Sequence, residues 1–312
     1  MQTADIIPPV AVSLAEHAPS SLWRDALRHM LHKRSALVGM VILGTLLVVA
    51  IFAPLIATHD PTKVLLGTEV VKKRMPPCIH ILGCPADQPQ HILGTDGNVR
   101  DLFSRIVYGS RVSLFIGLST VGLAIVVGTV LGAVAGYAGG WADNVIMRFM
   151  DVLLAFPALL LAIAIVTVLG PGLINVLLAI SIVSIPSYAR VMRASVLSIK
   201  EQDFVTADRA LGVSPARILF HRILPNALTP LIVRGTLGIA TAILDAAALS
   251  FLGLGAQPPM AEWGSMLGAE RNQVFTAPHL VFFPGIAITL TVLGFNLLGD
   301  GMRDALDPRL NR

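Results

Sequence analysis

The chain has 312 residues, of which 54% are hydrophobic and only 13% charged, against about 25% charged in soluble globular domains. That excludes an ordinary soluble domain, because the apolar surplus has to meet lipid. The formal charge of +4 does not point to nucleic acid, since the bases sit at the ends of apolar segments and form no stripe.

In chain order, residues 1–35 open polar and proline-rich. Leu22, Trp23, Ala26, Leu27, Met30 and Leu31 then recur at helical spacing with bases between them. This predicts an interfacial helix or a lead-in to the first span. Ala36–Ala57 carries no charge over 22 residues. It is too long for the apolar core of a signal peptide, so a retained membrane anchor is expected. A 54-residue polar stretch, 58–111, follows. It holds the only two cysteines, Cys78 and Cys84. Outside the cell a disulfide between them is expected. Free thiols, or a metal with His80 or His91, are the alternatives, though Cys-x5-Cys is not a usual zinc spacing. Asp101 is placed to cap a helix with Leu102, Phe103, Ile106 and Val107 on one face, read as a separate helix on the outer membrane surface with Arg100, Arg105 and Arg111 off that face.

Val112–Gly136 is uncharged over 25 residues and Val152–Ala189 over 38. The second exceeds one crossing of a core about 30 Å thick at 1.5 Å per residue. Gly170-Pro171-Gly172 breaks it, so two spans with a tight hairpin are predicted. Gly128, Gly132 and Gly136 share one helix face and allow close approach of another helix, within the subunit or across a subunit interface. Between the spans, 190–230 is too polar to insert. It predicts a helix over about 201–211 and a second from Ser214-Pro215 to Leu224-Pro225, with Gly212 as the left-handed break between them. Gly235–Ala261 has a single charge, Asp245, and Leu280–Gly299 none. A carboxylate at membrane depth has to face protein or water. Asp245 is therefore a candidate for lining a path and attracting a substrate amine, or for a structural hydrogen bond. Pro54, Pro157, Pro186 and Pro284 are candidate kinks.

The fold expected is an all-α membrane protein with six transmembrane helices and both termini inside. The orientation rests on 15 Lys and Arg residues that would face the cytoplasm, against Arg271 alone in 262–279. The long 58–111 loop carries seven, but long segments obey the rule loosely.

Several motifs then converge. Thr206-Ala207-Asp208-Arg209-Ala210-Leu211-Gly212 with Leu224-Pro225-Asn226 resembles the cytoplasmic EAA loop of bacterial ABC importer permeases, with Thr206 in place of the Glu and Asp208 in place of the second Ala. His91-Ile-Leu-Gly-Thr-Asp96, Arg100-Asp101, Ser104-Arg105, Gly136-Tyr-Ala-Gly-Gly-Trp141 and Met147-Arg148 resemble the C-type subunit of the dipeptide and oligopeptide permeases. So do Asp151, Phe156-Pro157, Leu249-Ser-Phe-Leu-Gly-Leu-Gly255, Asn296-Leu-Leu-Gly-Asp300 and Arg303-Asp304-Ala-Leu-Asp-Pro308. Val99 stands where that pattern has Gly.

The resemblance implies the type I permease fold in a bacterial or archaeal cell membrane. It divides the chain into a cytoplasmic segment 1–35, an anchor 36–57, an extracytoplasmic loop 58–111, a permease core 112–302 and a tail 303–312. It implies an unlike second permease, two ATPase subunits and an extracytoplasmic substrate-binding protein as partners. The ATPases would dock on Phe204, Val205, Thr206, Ala207, Asp208, Leu211 and Gly212. No Gly-x4-Gly-Lys-Ser/Thr motif occurs in the chain, so ATP and Mg would bind partner chains and this subunit would be non-catalytic, with no cofactor or metal of its own. The cargo implied is a di- or oligopeptide, with nickel or an oligosaccharide as alternatives. A proton-coupled carrier using Asp245 lacks a use for the 190–230 loop. An intramembrane enzyme would need a second catalytic group at membrane depth, and none accompanies Asp245.

Overall fold

The structure, a computed structural model, describes residues 30–85 and 87–306. The helix expected over residues 22–31 lies almost wholly outside this range, as does the tail from residue 307. Among the described residues helices dominate, with only isolated β-bridges between them. In chain order they are α1 (Arg34–Ile51), α2 (Ala53–Ile56), α3 (Leu102–Ala138), α4 (Gly140–Leu154), α5 (Ala158–Leu169) and α6 (Leu173–Lys200). Then come α7 (Asp203–Ala210), α8 (Pro215–Ile218), α9 (Leu224–Phe251), α10 (Trp263–Glu270) and α11 (His279–Ala305).

Among the described residues, five helices are long and apolar enough to cross a membrane. A sixth crossing exists only if α4 and α5 together make one span, and they meet at 91°. The single span expected before the hairpin is thus a broken one. Proline fits the break: Pro157 takes the non-helical ψ 126 at the start of α5, and it has no backbone N–H with which to continue α4. The 12 residues of α5 are only roughly 18 Å long and cannot cross alone. Pro54 similarly interrupts the first span at Phe52. Pro186 and Pro284 lie inside continuous helices.

Two further expectations need correction. The separate surface helix at 101–107 is the first two turns of α3, a 37-residue helix roughly 55 Å long. That is longer than a core of about 30 Å needs, and its N-terminal end carries the 58–101 segment. Arg100 and Arg105 do not lie free on a surface but are buried, because carboxylate and carbonyl partners enclose them. Second, Leu224-Pro225 does not stop a helix. A π-helical stretch, Leu219–Ile223, runs from α8 straight into α9. Pro225 falls in the first turn of α9, where a missing N–H costs little, and the Asn226 amide donates to the Arg222 carbonyl at 2.7 Å.

The bundle is held by close helix crossings. A Cβ on Gly128 would come within 2.7 Å of Tyr188 Cβ. One on Gly132 would collide with Ala189 O, and one on Gly136 would lie 3.0 Å from Arg193 O and Val196 Cβ. The three glycines therefore form the seam of α3 against α6, inside the subunit. α1 docks on α11, with Gly39 against Gly294 and Ala36 against Gly301. Many large side chains on the outer faces stay exposed, Val41, Val126 and Leu160 among them, as lipid-facing positions require.

Candidate functional site

The first site is the link between α6 and α9. Asp203 in the first turn of α7 and Arg209 in its last match the helix dipole. The helix ends in a Schellman motif: Val213 N donates to Asp208 O at 3.0 Å and Gly212 N to Arg209 O at 3.0 Å. Gly212 has φ +75 with open space around its Cα, so the break depends on backbone conformation and not on crowding. Ser214 in extended geometry and Pro215 at the first position then restart the helix, although the Ser214 side chain makes no cap bond.

The two apolar stripes of this link have different fates. Val205 and Ile218 are fully buried against Met192, Val196, Ile223, Ala227 and Leu231. Val205, expected among the docking residues, is thus covered within the chain, because α6 and α9 project far enough to enclose it. Phe204 remains 40% exposed, Leu211 80% and Phe220 61%. Thr206, Ala207 and Gly212 are exposed on the same element, and Asp208 is half-buried. Asp208 accepts from Arg222 Nε at 2.9 Å, pinning α7 to the π-helical stretch. Phe220 and Arg222 were not among the residues singled out from the sequence. Phe220 was invisible because the π-helical stretch shifts the 3.6-residue register that assigns faces.

The second site is the outer face of α9. Asp245 is half-buried there, between exposed Thr241 and Leu244 on one side and Leu252 on the other. Among the described residues it makes no hydrogen bond or ion pair. An open groove of 710 Å³ runs beside α4, lined by Asp143, Met147, Arg148, Asp151 and Arg193. Asp143 pairs with Arg193, and Asp151 with Arg190 at 2.6 Å.

The opposite end of the bundle is a cap built from 58–101 and 253–279. Cys78 and Cys84 are joined by a disulfide, with Cα atoms 5.3 Å apart. Arg105 donates to the carbonyls of Pro61 (2.9 Å), Pro259 (3.2 Å) and Met260 (3.3 Å), beside Asp96 at 3.4 Å. Burial lowers its guanidinium to about 10, Arg100 adding to the effect and Asp96 opposing it. Trp263, buried at the start of α10, donates to Ile106 O at 3.0 Å. Glu262 caps α10 through Gly264 N and Ser265 N at 2.8 and 2.7 Å. Burial pushes the Glu262 carboxyl up, and those two N–H groups oppose the shift.

Comparison with known proteins fits this geometry. Residues 128–312 match the family of binding-protein-dependent transport system inner membrane components. Residues 21–77 match the N-terminal TM domain of oligopeptide transport permease C. The chain is 47% identical to the dipeptide transport system permease protein DppC of Alkalihalophilus pseudofirmus over 95% of this chain and 92% of that protein. It is 51% identical to the glutathione transport system permease protein GsiD of Pectobacterium atrosepticum over 70% and 73%. Its fold resembles the MetNI methionine ABC transporter in an inward facing conformation, with TM-score 0.54 and 19% identity over 66% of this chain and 98% of that one.

Proposed function

This chain belongs to the inner membrane components of binding-protein-dependent transport systems, and from that membership we propose how its two sites work. It is a permease subunit of an ATP-binding-cassette importer for peptides, a multi-pass membrane component. Both termini lie inside. The α4–α5 pair serves as one broken span, giving six, and 58–111 is extracytoplasmic. An unlike second permease completes the path, an extracytoplasmic binding protein delivers peptide, and two ATPase subunits carry ATP and Mg. The membrane is that of a bacterial or archaeal cell.

The α7–Gly212–α8 elbow is the docking point for an ATPase. The observation that carries this is the split burial of the elbow: Val205 and Ile218 anchor it into α6 and α9, while Phe204, Leu211 and Phe220 stay open. A rigid stem with a bare apolar tip transmits a push from a partner to two spans at once. Covering each large side chain contributes up to about 1.5–3 kcal/mol. Asp245 lines the path and attracts the amino terminus of a peptide. The names of the relatives favour peptides over nickel or oligosaccharides.

The test is a cross-link. Both native cysteines are in the disulfide, so Leu211→Cys introduces a lone thiol. In the assembled complex it should cross-link to an ATPase subunit and be hidden from impermeant thiol reagents applied to intact cells. Labelling from outside, or no cross-link to the ATPase in an active complex, would refute the docking role.

A further inference from the structure

We propose that His59, His91 and Glu69 form a binding site for a divalent first-row cation of the zinc class, oriented by Asp101. The proposal is independent of the cargo and of the elbow.

The His91 side chain is fully buried. Its Nδ1 lies 2.8 Å from Asp101 Oδ1. Asp101 is itself fully buried and caps α3 by accepting from Ser104 N at 2.7 Å. A carboxylate engaged in this way takes the imidazole N–H, so His91 Nδ1 donates, and in the neutral ring Nε2 keeps its lone pair outward. That lone pair faces Glu69 Oε2 at 3.3 Å. Both atoms are enclosed, and neither has a hydrogen-bond partner. Two acceptors face one another out of water, an arrangement that is costly unless something positive lies between them.

His59 repeats the pattern from the other side of the same carboxylate. Its Nε2 is 3.6 Å from Glu69 Oε1. Its Nδ1 is 2.9 Å from Thr58 Oγ1 and 3.8 Å from Asp101 Oδ1. The two rings sit 4.9 Å apart. Both imidazoles therefore turn Nε2 toward Glu69 and Nδ1 toward Asp101.

A proton on His91 alone fits this poorly, because His91 Nε2 and Glu69 Oε2 are not aligned as a hydrogen bond. A cation held between the imidazoles and the carboxylate fits better. With metal–N and metal–O bonds of about 2.0–2.2 Å, neighbouring ligands are spaced about 3.3–3.5 Å apart; His91 Nε2 lies 3.3 Å from Glu69 Oε2 and His59 Nε2 lies 3.6 Å from the other oxygen, Oε1. Imidazole that binds a metal ordinarily donates its other N–H to a carboxylate or carbonyl, which is the place Asp101 holds. His59 and Glu69 are 22% and 29% exposed, so the ion has a way in and water can fill the remaining position. Cys78, His80 and Cys84 also lie together, but both sulfurs are spent in the disulfide. A bound cation would tie the segment leaving the first span to the cap of α3.

The experiment uses the complex purified without chelator and without a polyhistidine tag. Zinc is measured by mass spectrometry and, after EDTA treatment, by adding back zinc chloride against a competing zinc dye. Wild type should hold one zinc per chain more than His59→Ala or Glu69→Gln, and zinc should raise its melting temperature but not theirs. Asp101→Asn should bind about 10–100-fold more weakly. The double Cys78→Ser, Cys84→Ser variant should keep its zinc. His59 and Glu69 are partly exposed, so their variants should keep the wild-type size-exclusion profile. Zinc that is absent from wild type even with excess zinc chloride, or equal in wild type and both variants, overturns the site. The cluster is then a proton-held ion network.

Discussion

The two ends of the bundle are built on opposite principles. The cap end buries its charges: Asp96, Arg100, Asp101, Arg105, Glu262 and Glu270 are all enclosed, and long-range contacts such as Arg74 Nε to Glu270 Oε2 at 2.9 Å tie loops that are distant in sequence. The elbow end leaves its polar groups and several large apolar groups in the open. Among the described residues only Asp208–Arg222 links α7 to the following segment by charge, with Arg222 57% exposed, and such a pair is worth at most about 1 kcal/mol. Between them runs the glycine seam of α3 and α6, which joins the ends mechanically. A buried network of charges tied to many carbonyls and carboxylates resists rearrangement. An exposed apolar tip on a short helix awaits a surface. The difference suggests that the cap fixes the helices and that movement enters at the elbow.

That contrast breaks first, if it breaks, at Arg105. Its guanidinium holds three carbonyls from two separate loops beside Asp96. Arg105→Met should lower stability by about 3 kcal/mol or more, as removal of one partner of a buried charge network does. The readout is the unfolding midpoint in detergent. A shift no larger than that of an exposed arginine change would show the cap to be less rigid than its contacts imply.

At the elbow the same measurement should move less while function fails. Gly212→Val forces a β-branched residue to φ +75, a local cost of about 1–2 kcal/mol. Beyond its chain neighbours, no atom stands within 4 Å of a Cβ built there. The helices should stay inserted, and transport should be abolished. Copurification of the ATPases should fall, or their hydrolysis should no longer respond to substrate. Transport and copurification both at wild-type level would reduce the elbow to a passive connector.

These contrasts were unequally legible in the sequence. Apolar length marked the membrane segments, and Gly212, Ser214 and Pro215 marked the elbow, because local backbone chemistry decides them. Helix ends were less legible. Hydropathy reports where lipid is, not where hydrogen bonding stops, so the helix at 101–107 read as separate and the one from Ser214 as ending at Leu224-Pro225, although each runs on into a long helix, α3 and α9. The break at Pro157 was foreseen only as a kink, since no local signal gives an angle of 91°. The burial of Arg105 was missed because its partners, Pro61, Pro259 and Met260, are up to 155 residues away. The burial of Val205 and Ile218 was missed for the same reason: it depends on how far α6 and α9 project.

The smallest effect on stability is expected at Asp245, and it sharpens the comparison most. Buried carboxylates of the cap each have partners, and Asp245 on α9 has none among the described residues. Had it served the fold, a donor from α3, α6 or α11 would meet it, since those helices pack on α9. Its neighbours Ala242, Ile243 and Ala246 are buried inward, while Leu244 and Thr241 face out. The carboxylate therefore sits at the edge of a face that this subunit does not cover. Asp245→Asn keeps the shape and removes the charge. Stability should change by about 0.5 kcal/mol or less, as for positions without committed partners. Assembly and basal ATP hydrolysis should remain measurable, and transport of a peptide with a free amino terminus should fall more than transport of its N-acetylated form. An equal fall for both peptides would remove the amine from the account. Failure of the mutant to assemble would make Asp245 a contact with the second permease, and unaltered transport would remove it from the path.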